Sequence, residues 1–161
     1  MTRAVPGDPT RVLLAGDTHG DGPWFAHLVT LAGRHRVAGI VQLGDFGYWP
    51  HEAFGQRYLT QVDALCTRAR LWCLWLDGNH EDFDALEQEF VRPDDGFTLI
   101  RPTSLHAPRG HRSRWGGVRF LAVGGAASID RALRLPRRSW WPQETITDAQ
   151  VAVAIAGGPT D

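Results

Sequence analysis

The chain has 161 residues, enough for one domain with a substantial core, and carries a formal net charge of -1 at pH 7 with an isoelectric point near 6.6. That balance argues against a generally basic nucleic-acid binder and provides no global field to steer an anionic ligand. No run approaches the roughly 20 uninterrupted apolar residues needed to cross a bilayer, and the first residues lack the apolar stretch of a signal peptide. With two cysteines, Cys66 at a predicted helix end and Cys73 in a predicted buried strand, the expectation is a cytoplasmic protein with reduced thiols and no membrane partner.

After a short lead containing Pro and Gly, Arg11 to Gly16 reads as a buried strand. Asp21-Gly22-Pro23 supplies a capping carboxylate and an early proline for a helix over about 23–36, with Phe25, Leu28, Val29 and Ala32 on one face. A strand over about 38–43, a helix over 53–70 with Phe54, Tyr58, Val62 and Leu65 in one stripe, and a strand over 71–76 complete two crossover units. Continuous apolarity in these strands predicts a parallel sheet buried on both faces, and right-handed crossovers bring all three carboxyl ends to one edge, where open α/β sheets bind ligands. A short helix over 82–90 follows. The segments 97–100 and 118–123 read as antiparallel strands of a second layer, and a last helix over 147–156 stops at Gly157-Gly158-Pro159.

Three polar clusters sit at the ends of the three parallel strands: Asp17-Thr18-His19-Gly20, Gly44-Asp45-Phe46-Gly47 and Gly78-Asn79-His80-Glu81. Carboxylate, imidazole and amide oxygen together suit Mn, Fe or Zn better than Ca or Mg, because imidazole favours borderline transition ions and a carboxylate can bridge two of them. A dinuclear site could hold a nucleophile and clamp a phosphoryl oxygen, with Asp45 on the middle cluster as the bridge and His80 facing the ester to stabilise or protonate the leaving oxygen.

In these residues the chain resembles the calcineurin-like metallophosphoesterases: Asp17-x-His19, Gly44-Asp45 and Gly78-Asn79-His80-Glu81, each after a strand, look like their first three motifs. The resemblance covers 11–82 and continues through Leu105 to Gly110 and through Gly124-Gly125-Ala126-Ala127-Ser128-Ile129-Asp130, a stretch similar to bacterial and phage members of the superfamily. It implies a single domain over 1–161, a layered β-sheet sandwich flanked by helices. It implies Asp17 and His19 as ligands of one metal, Asp45 as the bridge, Asn79 as a ligand of the second metal and His80 as the catalytic histidine. Glu81 would stand behind them, orienting His80 or the water on the metal. The reaction implied is phosphate mono- or diester hydrolysis by a metal-bridging hydroxide, on a phosphorylated small molecule, a nucleotide or a phosphoprotein.

The family's two later histidine motifs have no counterpart here, so the expectation is a C-terminally incomplete domain whose second metal keeps only Asp45 and Asn79. A shortened, non-catalytic scaffold or binding module is the alternative, and association with a second subunit is a further expectation. His51, close behind Asp45 in sequence, is a candidate substrate-facing group. Arg109 is another, first of the eight arginines between positions 109 and 138 that face one acid, Asp130. That run reads equally as a phosphate-attracting surface or as a solvated face, and a nucleic-acid contact is not favoured because stacking aromatics are sparse within it.

Overall fold

The computed structural model describes residues 7–161, so the lead through Pro6 lies outside the described residues. Strand β1 (Leu13–Ala15), helix α1 (Gly22–His35), strand β2 (Gly39–Leu43), helix α2 (Ala53–Ala69) and strand β3 (Trp72–Leu76) follow the expected order. Asp21 Oδ1 accepts from Trp24 N at 2.8 Å to start α1, and both long helices end on a left-handed arginine, Arg36 at φ 50° and Arg70 at φ 57°. Each such residue turns its own N–H back onto a carbonyl of the last turn, which releases the chain into the next strand.

Strands β1, β2 and β3 pair in parallel, Leu14 opposite Val41 and Val41 opposite Leu74. Alternation then sorts their side chains. Leu13, Ala15, Ile40, Cys73 and Trp75 face the two helices and pack with Phe25, Leu28, Tyr58, Leu59 and Val62. Val12, Val41, Leu74 and Leu76 face the other way, toward Leu105 and Trp115. Both cysteines are free and buried, and burial pushes the Cys66 thiol up to about 12, which leaves it protonated and unreactive.

Several expectations are corrected downstream. The helix after β3 is one turn, α3 (Phe83–Leu86), started by Asp82 accepting from Ala85 N at 3.1 Å. The chain then turns back so that Val91 bridges Thr98. The 97–100 segment becomes β4 (Thr98–Arg101), and it belongs to the first sheet. It runs antiparallel to β5 (Ser104–His106), which inserts in parallel beside β3 and gives the order β1-β2-β3-β5-β4. The second layer consists of β6 (Arg112–Trp115) and β7 (Val118–Leu121), paired antiparallel with each other. This narrow ribbon leaves Leu14 and Leu43 61% and 52% exposed, so burial on both faces holds in the middle of the sheet and fails at β1 and at the carboxyl end of β2. Helix α4 (Asp148–Ala156) starts on a capping box between Thr147 and Gln150.

Trp75 holds the helix-facing core to the rim. It is fully buried, stacks on Phe46 and Tyr48 with centroids 4.8 and 5.5 Å away, and touches His106 at 4.5 Å. We expect Trp75→Ala to cost about 3–5 kcal/mol in urea unfolding, the range for deleting a buried large aromatic. A loss below 1 kcal/mol would contradict this packing.

Candidate metal centre

Backbone pairing between β1 and β2 continues past the strands into the loops that carry the polar clusters. Asp17 N donates to Gly44 O at 3.2 Å, His19 N to Asp45 O at 2.7 Å and Gly20 N to Phe46 O at 3.1 Å, while buried Thr18 donates through Oγ1 to Phe46 O at 3.0 Å. The third loop is gripped by a side chain: Asp45 Oδ1 accepts from Asn79 N at 2.9 Å and His80 N at 3.0 Å. Two glycines permit these approaches. A Cβ on Gly47, at φ 95°, would collide with the backbone of Gly20, and one on Gly78 would collide with Asp45 Oδ1.

Three of the predicted ligands sit in the left-handed region, Asp17 at φ 49°, His19 at φ 45° and Asp45 at φ 54°. Asp and His tolerate this region better than most side chains, but it still costs roughly 1 kcal/mol or more each. Strain of this kind persists where the surrounding structure fixes it, and here it turns successive side chains toward one rim.

The donor atoms of His19, Asp45 and His80 lie within 4.8 Å of one another. His19 Nε2 is 3.6 Å from Asp45 Oδ2, and the two imidazoles meet edge to face with centroids 4.9 Å apart. Asp17 is not part of that tight group; with Asp45, Asn79 and the segment Val123 to Ala126 it lines an adjoining cleft of about 290 Å³. The structure therefore brings all five residues to one edge, and their carboxylate, imidazole and amide donors fit a borderline divalent transition ion.

His80 has a lowered pKa. Burial is the main cause and the neighbouring Arg134 and His19 add to it, against the pull of Asp45. Arg134 was not singled out from the sequence. Its Nη2 lies 2.7 Å from His80 Nε2 and its Nη1 3.3 Å from His80 Nδ1, with Nε held by Asp130 at 2.8 Å.

Glu81 does not reach His80. Fully buried, it accepts from Phe46 N at 2.7 Å, Gly47 N at 3.1 Å and Tyr48 N at 2.7 Å, so it fixes the loop behind Asp45 rather than orienting the histidine. Arg109 also differs from expectation, because its side chain is 7% exposed and bonds inward. It pairs with buried Asp77 at 2.6 Å and donates to Glu144 O at 3.1 Å, and Asp77 takes His106 Nε2 on its other oxygen at 3.1 Å. Packing between β3 and the segment before α4 consumes that guanidinium. His51 lies in a separate groove of about 300 Å³ with Asp84, Arg137 and Trp141, apart from the donor cluster.

Ser128 and Glu144 were also missed. Ser128 Oγ receives Asn79 Nδ2 at 3.0 Å and donates to buried Glu144 at 2.7 Å. The stretch from Gly124 to Asp130 carried the only signal, its likeness to bacterial and phage phosphoesterases.

The calcineurin-like phosphoesterase family model matches residues 10–161. The chain belongs to that family. No curated protein and no solved structure gives a significant match. Among the described residues no helix is long and apolar enough to cross a membrane.

Two outcomes check this geometry. Removing the guanidinium in Arg134→Gln is expected to raise the His80 pKa, followed by NMR titration of the ring in metal-free protein; an unchanged or lower value would contradict the contact. For Glu81, burial pushes the carboxyl up to about 8, with the Tyr48 and Phe46 amides pulling it down. A raised folded-state value means that the stabilising contribution is fully present below about 4.5 and lost as pH rises through about 8. Denaturant midpoints in chelator should fall across that window in the parent chain, and the fall should shrink in Glu81→Gln.

Proposed function

We propose that the chain hydrolyses phosphate esters with divalent metal ions held by Asp17, His19, Asp45 and Asn79, Asp45 serving both ions. The observation that carries this reading is the convergence of those donors and His80 on the carboxyl edge of β1, β2 and β3, with His19, Asp45 and His80 donor atoms within 4.8 Å of one another. Bound ions supply Lewis-acid polarisation of the phosphoryl oxygen and a nucleophile from water at neutral pH. His80, its pKa lowered, presents a neutral imidazole edge to the ester at pH 7. In that form it orients the leaving oxygen with a ring N–H hydrogen bond, and the proton that the leaving oxygen needs comes from solvent. Arg134 contributes the fixed positive charge beside that imidazole, held in line by Asp130. Among transition ions manganese is the one we would supply first, and phosphorylated small molecules, nucleotides and phosphoproteins are the substrate classes such an open edge admits.

The deciding experiment is manganese-dependent hydrolysis of p-nitrophenyl phosphate and bis-p-nitrophenyl phosphate, with Asp45→Asn as the blank. Asparagine keeps an oxygen toward the amides of Asn79 and His80 but removes the bridging charge, so the fold survives while turnover should fall at least roughly 100-fold. Equal turnover in both proteins, or turnover indifferent to chelation, would overturn the assignment.

A further inference from the structure

Asn79 can serve a metal only through its amide oxygen, so which way the amide faces decides whether it is a ligand at all. The geometry points to Ser128 and Glu144 as positioning residues that fix this orientation, an inference that rests on the metal-centre reading above. Glu144 is 2% exposed and has two side-chain partners, both on Ser128: the backbone N–H at 2.7 Å to Oε1 and the hydroxyl at 2.7 Å to Oε2. An ionised carboxylate accepts only, so it commits the single hydroxyl proton of Ser128. The hydroxyl oxygen is then left as an acceptor, and the Asn79 group 3.0 Å away must be the NH2 end. Oδ1 is thereby left free of Ser128, on a residue that lines the cleft shared with Asp17 and Asp45.

The backbone supports the same arrangement from both sides. Asn79 N is held by Asp45 Oδ1 at 2.9 Å, Gly125 N donates to Asp77 O at 2.8 Å and Ala126 N donates to Glu144 O at 3.0 Å. The loop that carries Ser128 is thus strapped to the end of β3 before any ion arrives. A donor oriented in advance loses less freedom on binding, and partners of metal ligands typically shift affinity by about 10–100-fold. Glu144 sets the direction of the chain. In Glu144→Gln the new amide can donate to Ser128 Oγ, the hydroxyl proton is then free to go to Asn79 Oδ1, and the ligand oxygen is occupied.

The test uses the full chain as parent, Ser128→Ala, Ser128→Thr and Glu144→Gln. In metal-free protein the Asn79 side-chain amide protons are followed by NMR, and slow hydrogen exchange is expected in the parent and in Ser128→Thr, fast exchange in Ser128→Ala. Calorimetric titration with manganese should show the weaker of the bound ions lose about 10-fold or more in affinity in Ser128→Ala and Glu144→Gln, with recovery in Ser128→Thr. Parent-like manganese binding in both Ser128→Ala and Glu144→Gln would overturn the positioning role while leaving the metal centre intact. A parent chain that binds no manganese would instead overturn the metal-centre reading, and this inference with it.

Discussion

The rim of the sheet depends on Asp45. Its main-chain oxygen takes the His19 N–H at 2.7 Å, and its Oδ1 takes the Asn79 and His80 N–H groups at 2.9 and 3.0 Å. One residue therefore ties three loops that leave three different strands. Hydrogen bonds to a charged acceptor contribute about 1.5–3 kcal/mol each, which is enough to offset the left-handed backbone at Asp17, His19 and Asp45 itself. With its remaining oxygen 3.6 Å from His19 Nε2, Asp45 keeps one lone-pair face toward the donor cluster while the other is spent on architecture.

Behind that rim the chain places three more buried carboxylates, Glu81, Asp77 and Glu144. Glu81 fixes the amides after Asp45 and Glu144 the Ser128 loop, while the Asp77 carboxylate holds the Arg109 and His106 side chains and its main-chain oxygen takes the Gly125 N–H. Such groups are costly to bury and add little net stability, whereas removing one partner leaves a buried polar group unsatisfied. Their concentration behind one edge of the sheet fixes the loops that carry the donor cluster, the kind of support that a site sensitive to shifts of about an ångström needs.

The parallel core was readable because apolar runs, a capping Asp21 and two crossover helices agree with one another, and the five residues at the strand ends were readable because each follows such a run directly. Strand β5 was not, since Ser104–His106 is three residues between prolines and makes no alternating pattern. Nor was β6, whose sequence Arg-Ser-Arg-Trp has the look of a solvated turn and becomes a strand only by pairing with β7. The supporting residues escaped for a related reason. Ser128 meets Asn79 across 49 residues and Arg134 meets His80 across 54, distances at which no local pattern exists. Glu81, next to His80 in sequence, is directed by the turn onto the amides of Phe46, Gly47 and Tyr48, partners that adjacency does not suggest.

The arginine run illustrates how composition alone misleads about charge. Arg109 is consumed by Asp77, Arg119 by Asp161 and Arg137 by Asp84, while Arg112 caps carbonyls of Ala154 and Gly158 and Arg131 lies 4.2 Å over the ring of Trp140. A guanidinium already paired or spent on carbonyls contributes little field at a distance, and exposed pairs are screened further by salt. What reaches the donor cluster is Arg134, with a side chain 10% exposed and its Nε on Asp130. Selectivity for an anionic ester would then come from one fixed, desolvated charge at the site rather than from a basic surface, and a desolvated charge is the kind that ionic strength weakens least.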